Sequence, residues 1–284
     1  MEYLQQAFFH GAEETLVILP FLFFIYLILE LLEHRFSHKT PDLRRFGPLL
    51  GSALGMLPQC GFSIAVTTLF NKRVVTLGTL LAVYLSTSDE AVPILLAQPG
   101  QLATVAKILV LKFFIGLLAG LVIDRFCSKP LPDDCFCSDC HQHSEDHQKH
   151  HHTTAMPAVL FHSCKKTLKI FLFLLAAMVI LNWLLLLAGQ EQLARLLSSG
   201  TLLQPFLCAL VGLVPTCVPS ILIAQLLAEG ILPFGSAMAG LCASSGMGIL
   251  LLFKEGHGWK TGLQVTALLY GVSVFCGLVL NLFF

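Results

Sequence analysis

Gly55-Met56-Leu57-Pro58-Gln59-Cys60-Gly61-Phe62-Ser63 and Gly212-Leu213-Val214-Pro215-Thr216-Cys217-Val218-Pro219-Ser220 carry one pattern, Gly-x-x-Pro-x-Cys-x-x-Ser, in two places 157 positions apart. Both lie inside long apolar runs. A proline within a helix removes a backbone donor and clashes with the turn before it, so Pro58 and Pro215 each predict a break in helical structure. At membrane depth such a break is tolerated only where the freed backbone groups are buried in protein or line a cavity. A repeated, Cys-bearing break therefore reads as a candidate site for a solute.

Membrane depth is the right frame. Of the 284 residues 56% are hydrophobic and only 12% charged, and several apolar stretches approach the length of about 20 residues that spans a hydrocarbon core. The chain reads as an all-α, multi-pass membrane protein. A formal net charge of zero argues against nucleic acid as a partner. The N-terminal residues carry Glu2, Glu13 and Glu14 in place of a basic leader, so the first span is expected to stay in the mature protein. Of the ten cysteines at least five lie in apolar segments, where a free thiol behaves as a small hydrophobe, and four others crowd into one polar loop.

Residues 15–33 form the first expected span, followed by the basic stretch His34 to Lys39 and by Arg44-Arg45. Residues 46–70 are apolar but broken at Pro58, 74–97 are broken by Ser86-Thr87-Ser88-Asp89-Glu90, and 103–124 run uninterrupted. A polar tract from Cys127 to about Thr154 separates this half from the next. Shifting the chain by 157 lays Pro48 on Pro205, Gly55 on Gly212, Pro58 on Pro215, Cys60 on Cys217 and Ser63 on Ser220. It also lays Gly78 on Gly235, Thr87-Ser88 on Ser244-Ser245, and Gly120-Leu121-Val122 on Gly277-Leu278-Val279. Chance matches among apolar segments rarely pair Pro, Cys and Ser in register, so an internal duplication is expected. The expected division is 1–126 for the first repeat, 127–157 for a His/Cys-rich linker and 158–284 for the second repeat.

The basic residues orient the halves. If residues 46–70 and 203–227 are re-entrant hairpins, each half crosses three times and the two have opposite topology. Arg35, Lys39, Arg44, Arg45, Lys72, Arg73, Arg125, Lys129, Lys149, Lys165, Lys166, Lys169, Lys254 and Lys260 then share one face. Arg195 falls on the other, Lys107 near a boundary and Lys112 within a span. That asymmetry marks the cytoplasmic side. Aligned entries to the first spans agree, because Glu13-Glu14 correspond to Lys165-Lys166 at a shift of 152. The expectation is an inverted-repeat protein of six full spans and two re-entrant hairpins in the inner (plasma) membrane, its linker cytoplasmic and both termini outside.

Three constellations could carry chemistry. The first is the pair of hairpin tips, where Cys60 and Cys217 supply soft ligands and Gln59, Ser63, Thr216 and Ser220 supply oxygens for a metal or metalloid. The competing reading makes these cysteines small packing residues at a tight helix crossing. The second is the polar break of the following span, Ser86, Thr87, Ser88, Asp89 and Glu90 in the first half and Ser244 and Ser245 in the second. Intramembrane acids are costly and functional by default. Asp89 and Glu90 correspond to Gly246 and Met247, so only one half brings acid that could bind a divalent cation or take up a proton. Asp89 as a helix cap is the plainer alternative.

The third is the linker: Cys127, then Cys135, Cys137, Cys140, His141, His143, His147, His150, His151 and His152. Clustered thiols and imidazoles on a polar tract read as loose metal capture or sensing, with a plain polar linker as the alternative. Cys137-Ser138-Asp139-Cys140-His141 matches the C-x-x-C-H haem attachment pattern, but a cytoplasmic, short and polar tract argues against haem. No phosphate-binding loop occurs, so transport would be secondary and most simply proton-coupled.

The Leu-Pro-Gln-Cys-Gly-Phe-Ser, Ser-Thr-Ser-Asp-Glu-Ala-Val-Pro and Val-Pro-Thr-Cys-Val-Pro-Ser elements together resemble the ten-transmembrane heavy-metal exporter family, whose members are labelled arsenic efflux proteins or manganese transporters. The resemblance covers about residues 8–126 and 160–284 and implies an efflux permease of the inner membrane. Ten spans agree with six crossings and two hairpins if each hairpin counts twice. Two thiols alone would favour arsenite, whereas Asp89, Glu90 and the hydroxyls favour manganese or another divalent transition metal. The expectation is divalent export first and arsenite second, with the metal as cargo, no required cofactor, the proton as counter-ion and a homo-oligomer compatible with both. An intramembrane enzyme and a membrane metal sensor are the readings of a different class; no nucleophile-and-base spacing calls for the enzyme.

Overall fold

The computed structural model describes residues 43–57, 61–72, 74–87, 91–98, 100–126, 203–255 and 259–283, with scattered helical positions between 168 and 197. The expected first span and the linker lie outside these described residues, as do Pro58, Gln59, Cys60, Ser88, Asp89 and Glu90. Every regular element among the described residues is an α-helix. The first five are α1 (Leu43–Gly55), α2 (Gly61–Asn71), α3 (Leu77–Ser86), α4 (Ala91–Ala97) and α5 (Leu102–Phe126). The second five are α6 (Gln204–Gly212), α7 (Cys217–Ala228), α8 (Phe234–Ala243), α9 (Gly248–Glu255) and α10 (Trp259–Phe283).

Adding 157 to the bounds of α3 and α5 gives those of α8 and α10, and α2 and α4 map onto α7 and α9 to within one residue at each end. The sequence breaks fall where the elements end. α1, α2, α6 and α7 have 13, 11, 9 and 12 residues, so each is about 20 Å long or less and too short to cross a core about 30 Å thick. Pro215 lies in the turn between α6 and α7. Pro205 and Pro219 instead occupy first turns, where a missing amide proton removes no intrahelical bond.

Four helical stretches are long and apolar enough to cross a membrane: Leu77–Ala97, Leu102–Phe126, Phe234–Lys254 and Trp259–Phe283. The first and third contain the polar breaks and are interior. From Leu80 to Leu85 every residue of α3 is buried, and so is every residue of α8 from Gly235 to Ala243. A helix apolar all round belongs in the centre of a bundle. By contrast α5 and α10 present Phe114, Leu118, Val122, Leu263 and Phe275 outward, as lipid-facing spans do.

Small residues set the spacing. α3 crosses α5 at Gly78 and Gly120, where a Cβ on Gly120 would stand 2.7 Å from the Gly78 carbonyl oxygen; α8 crosses α10 in the same way at Gly235 and Gly277, with 2.9 Å for the corresponding approach. Such contacts let backbones meet without polar groups facing lipid. Near these crossings Asp124 accepts from the Gly78 amide at 2.8 Å and from Thr76 Oγ1 at 2.7 Å, closing the N-terminus of α3 with a carboxylate from α5. The corresponding Asn281 on α10 donates to Ser236 Oγ at 3.1 Å.

Two further contacts join the halves. α2 packs on α9, and α7 packs on α4, so each short helix that follows a Pro-x-Cys element in the sequence lies against the second part of the other half's broken span. At the far end Gln101 Nε2 donates to the Ala228 carbonyl at 3.5 Å.

Candidate functional site between the halves

The site is built where the two long spans break. α3 ends at Thr87, which leaves the helix with ψ 127°, and α8 ends at Ser244 with ψ 93°. In both, the cap amide still donates to the carbonyl four residues back, Val83 or Gly240. The chain beyond Ser244 turns through Gly246 at φ +63°, a left-handed conformation that costs glycine nothing, and restarts at Gly248.

The hydroxyls predicted to serve the site are buried and bonded differently in the two halves. Ser86 Oγ donates to Ala82 O and Thr87 Oγ1 to Val83 O, each at 2.7 Å, so both hydroxyl protons point back into α3. In the second half Ser220 and Ser244 instead pair with each other at 2.9 Å, joining the first turn of α7 to the break of α8. Ser245, the next residue in the chain, is buried, and Ser63 in the first turn of α2 is buried as well. Cys217 is buried as the first residue of α7. Thr216 is the N-cap of that helix but makes no capping bond; its Oγ1 is buried with no hydrogen-bond partner among the described residues. An unsatisfied hydroxyl at a helix N-terminus is a donor and acceptor held ready for a polar ligand.

Cys60 and Gln59, the first-half counterparts of Cys217 and Thr216, lie outside the described residues, as do the acids Asp89 and Glu90 and every linker candidate from Cys135 to His152. Among the described residues no group of three or more His, Cys, Asp or Glu side chains could hold a metal ion. The described part of the site is therefore a set of hydroxyls, one thiol and two helix breaks.

Three residues not singled out by their sequence pattern complete it. Lys112, one apolar turn after another inside α5, is 2% exposed and is the one charged side chain in the buried core of the described residues. Its ammonium donates to the Thr87 carbonyl, the negative end of α3. It also lies within electrostatic reach of Cys242 on α8. The general cost of an intramembrane charge was the available signal for Lys112. Aligning it at 157 with Leu269 would have sharpened that signal by showing that only one half carries it.

The other two are Thr67 and Tyr84. Thr67 Oγ1 meets Tyr84 Oη at 2.6 Å, donates toward the Ser63 carbonyl at 2.6 Å and lies 3.4 Å from the Gly248 carbonyl of the other half. Gly248 has no side chain to obstruct this: a Cβ there would stand 2.9 Å from Tyr84 Cε1, from Tyr84 Oη and from Ser63 O. The equivalents of Thr67, Tyr84 and Gly248 are Ala224, Leu241 and Ala91. Where the tyrosine is replaced by a leucine, its neighbour can afford a methyl group. Polar and charged chemistry is thus concentrated on the first half's α2, α3 and α5.

Residues 2–192 and 135–248 match a family model described as "Putative, 10TM heavy-metal exporter". No curated protein and no solved structure matches the chain.

Proposed function

The chain belongs to the ten-transmembrane heavy-metal exporter family, and on that premise we propose that it exports a divalent transition metal, manganese foremost, through a site between two inverted halves. The observation that carries this reading is the crossed packing of α2 on α9 and α7 on α4, in which the short helix that follows each Pro-x-Cys element in the chain lies against the other half's broken span. Inversion is supported by two contacts. Asp124 ties the start of α3 to the end of α5, so Lys72 and Arg125 share an end of the first half. Gln101, at the opposite end of that half, meets Ala228, the equivalent of Asn71.

In this mechanism Asp89 and Glu90, two and three positions after Thr87, supply hard negative ligands. Hydroxyls of Ser63, Ser86, Thr87, Ser88, Thr216, Ser220, Ser244 and Ser245 and the amide of Gln59 line the path, and Cys60 and Cys217 add soft ligands at the two tips. Lys112 holds the carbonyl end of α3 and offsets part of the acidic charge when the metal is absent. Alternating access then exposes the breaks to one face and the other. A proton taken up by the acid pair is the simplest counter-ion. The linker faces the cytoplasm and its Cys and His residues capture metal for delivery.

Arsenite is the second reading, favoured by a buried thiol at Cys217 next to the unsatisfied Thr216 hydroxyl. Flux into proteoliposomes with manganese, zinc, cobalt, nickel and arsenite, under an imposed pH gradient, decides between them. Asp89→Asn is expected to abolish divalent flux while the protein still inserts; full flux in that variant would sink the acid site, and arsenite flux alone would transfer the assignment to the metalloid.

A further inference from the structure

The two crossings between the halves follow one plan. At the first, Gly248 opens α9 against the start of α2: a Cβ there would stand 2.9 Å from Ser63 O, and Thr67 Oγ1 lies 3.4 Å from the Gly248 carbonyl. Shifted by 157, Ser63 and Thr67 become Ser220 and Ala224, and Gly248 becomes Ala91. By the repeat, Ala91 opens α4 against the start of α7, and Ala91 and Ala224 share one buried cluster. The far ends agree. Hydrogen-bonded turns lead the chain from Leu95 through Gln98 to Gln101, whose side chain meets Ala228, the last residue of α7. α4 and α7 thus pack side by side and run the same way.

What fills the two crossings differs. At the α2–α9 crossing the polar groups answer one another: Tyr84 Oη meets Thr67 Oγ1 at 2.6 Å, Thr67 donates to Ser63 O at 2.6 Å, and both side chains are fully buried. At the α4–α7 crossing the positions equivalent to Tyr84, Thr67 and Gly248 are Leu241, Ala224 and Ala91, with no hydroxyl among them. One turn before Ser220, Thr216 is 4% exposed and its Oγ1 has no hydrogen-bond partner among the described residues. It stands at the start of α7, a 12-residue helix whose N-cap side chain makes no capping bond. A buried hydroxyl left unsatisfied at a helix start calls for a ligand. In the sequence Asp89 and Glu90 directly precede Ala91, whereas Gly246 and Met247 precede Gly248. The half-span that follows the acids is therefore the one seated on α7.

Resting on the metal-export reading, we propose that the cargo is held at the α4–α7 crossing alone, with Thr216 Oγ1 and Cys217 Sγ as its second-half ligands on the side of the acid-bearing half-span. The two Pro-x-Cys thiols then take unequal parts. Cys217, buried as the first residue of α7 and next in the chain to the unsatisfied Thr216, is a ligand to the metal; Cys60 precedes α2, whose crossing with α9 is filled by the Tyr84 ring and its bond to Thr67. One thiol among oxygens suits a divalent transition metal. Manganese prefers carboxylate, carbonyl and water oxygens, so a softer divalent ion should bind there more tightly than Mn²⁺.

The test measures flux of Cd²⁺ and Mn²⁺ into proteoliposomes holding the full-length protein, and thermal unfolding of the same protein across a titration of each ion. Thr216→Val should raise the half-saturating concentration of both ions about tenfold, the loss of one oxygen ligand to a charge. Cys217→Ser should raise the value for Cd²⁺ about tenfold and that for Mn²⁺ less, and its effect on Cd²⁺ should exceed that of Cys60→Ser roughly fivefold. Equal effects of Cys60→Ser and Cys217→Ser overturn the proposal, as do Thr216→Val and Cys217→Ser curves that superimpose on those of the natural protein. Should Cys217→Ser fail to accumulate, Cys217→Ala carries the comparison. Flux in the natural protein with equal effects at the two cysteines refutes this inference alone. Stabilisation by Cd²⁺ that Cys217→Ser weakens, in a protein that moves neither ion, refutes the export reading and leaves this site standing; stabilisation that neither Thr216→Val nor Cys217→Ser alters belongs elsewhere in the chain and overturns it.

Discussion

Replacing Gly248 with alanine tests the contact that joins the halves at Tyr84. In a free helix the change is favourable by roughly 0.5–1 kcal/mol, because alanine loses less backbone entropy. Here the added methyl would stand 2.9 Å from Tyr84 Cε1, Tyr84 Oη and Ser63 O. Ordinary contact needs about half an ångström more, and of the three neighbours one is backbone while the ring is held by the 2.6 Å bond to Thr67. Overpacking of that kind costs about 1–3 kcal/mol and outweighs the helical gain. At roughly 2–4 °C for each kcal/mol, Gly248→Ala should lower the unfolding temperature of the detergent-purified protein by several degrees. The second half suggests the remedy, since the equivalent pair is Ala91 with Leu241. Tyr84→Leu removes the ring and leaves the Thr67 hydroxyl its bond to Ser63 O, so Tyr84→Leu/Gly248→Ala should recover most of the loss. A neutral Gly248→Ala, or a double variant at the sum of the two single effects, would refute the steric argument.

Lys112→Met keeps an unbranched apolar stem as far as Cε and removes the ammonium from the Thr87 carbonyl. Losing one charge-assisted bond of about 1.5–3 kcal/mol at the break should lower metal flux about 10- to 100-fold at unchanged membrane expression, measured in proteoliposomes; equal flux would mean that the lysine is only a filler. Asp124→Ala strands the Gly78 amide at the start of α3 and leaves the Thr76 hydroxyl only its bonds to Thr79, and should cost about 2 kcal/mol in thermal unfolding. Asp124→Asn, which copies Asn281, should lie between that variant and the natural protein.

The breaks were legible in the sequence because their causes are local. Pro215 turns the chain between α6 and α7, and the serines at 244 and 245 follow the last residue of α8. Burial of α3 and α8 was foreshadowed by runs of apolar and small residues on every face. What pattern reading could not supply was partnership across the chain. Thr67 and Gly248 are 181 positions apart, and periodicity says nothing of which carbonyl a lone Lys112 will reach. The crossing of α2 onto α9 and α7 onto α4 is likewise a property of packed halves, absent from either half read alone.

That crossing has a bearing on how unlike the halves can become. Two identical copies packed this way would place any ammonium, tyrosine or acid at both breaks together, doubling buried charge in a region of low polarisability. One continuous chain escapes the constraint: one half can carry Lys112 where the other carries Leu269, and Tyr84 can press on a glycine while its twin position stays aliphatic. Covalent joining is what allows a repeated frame to hold a single copy of each such group.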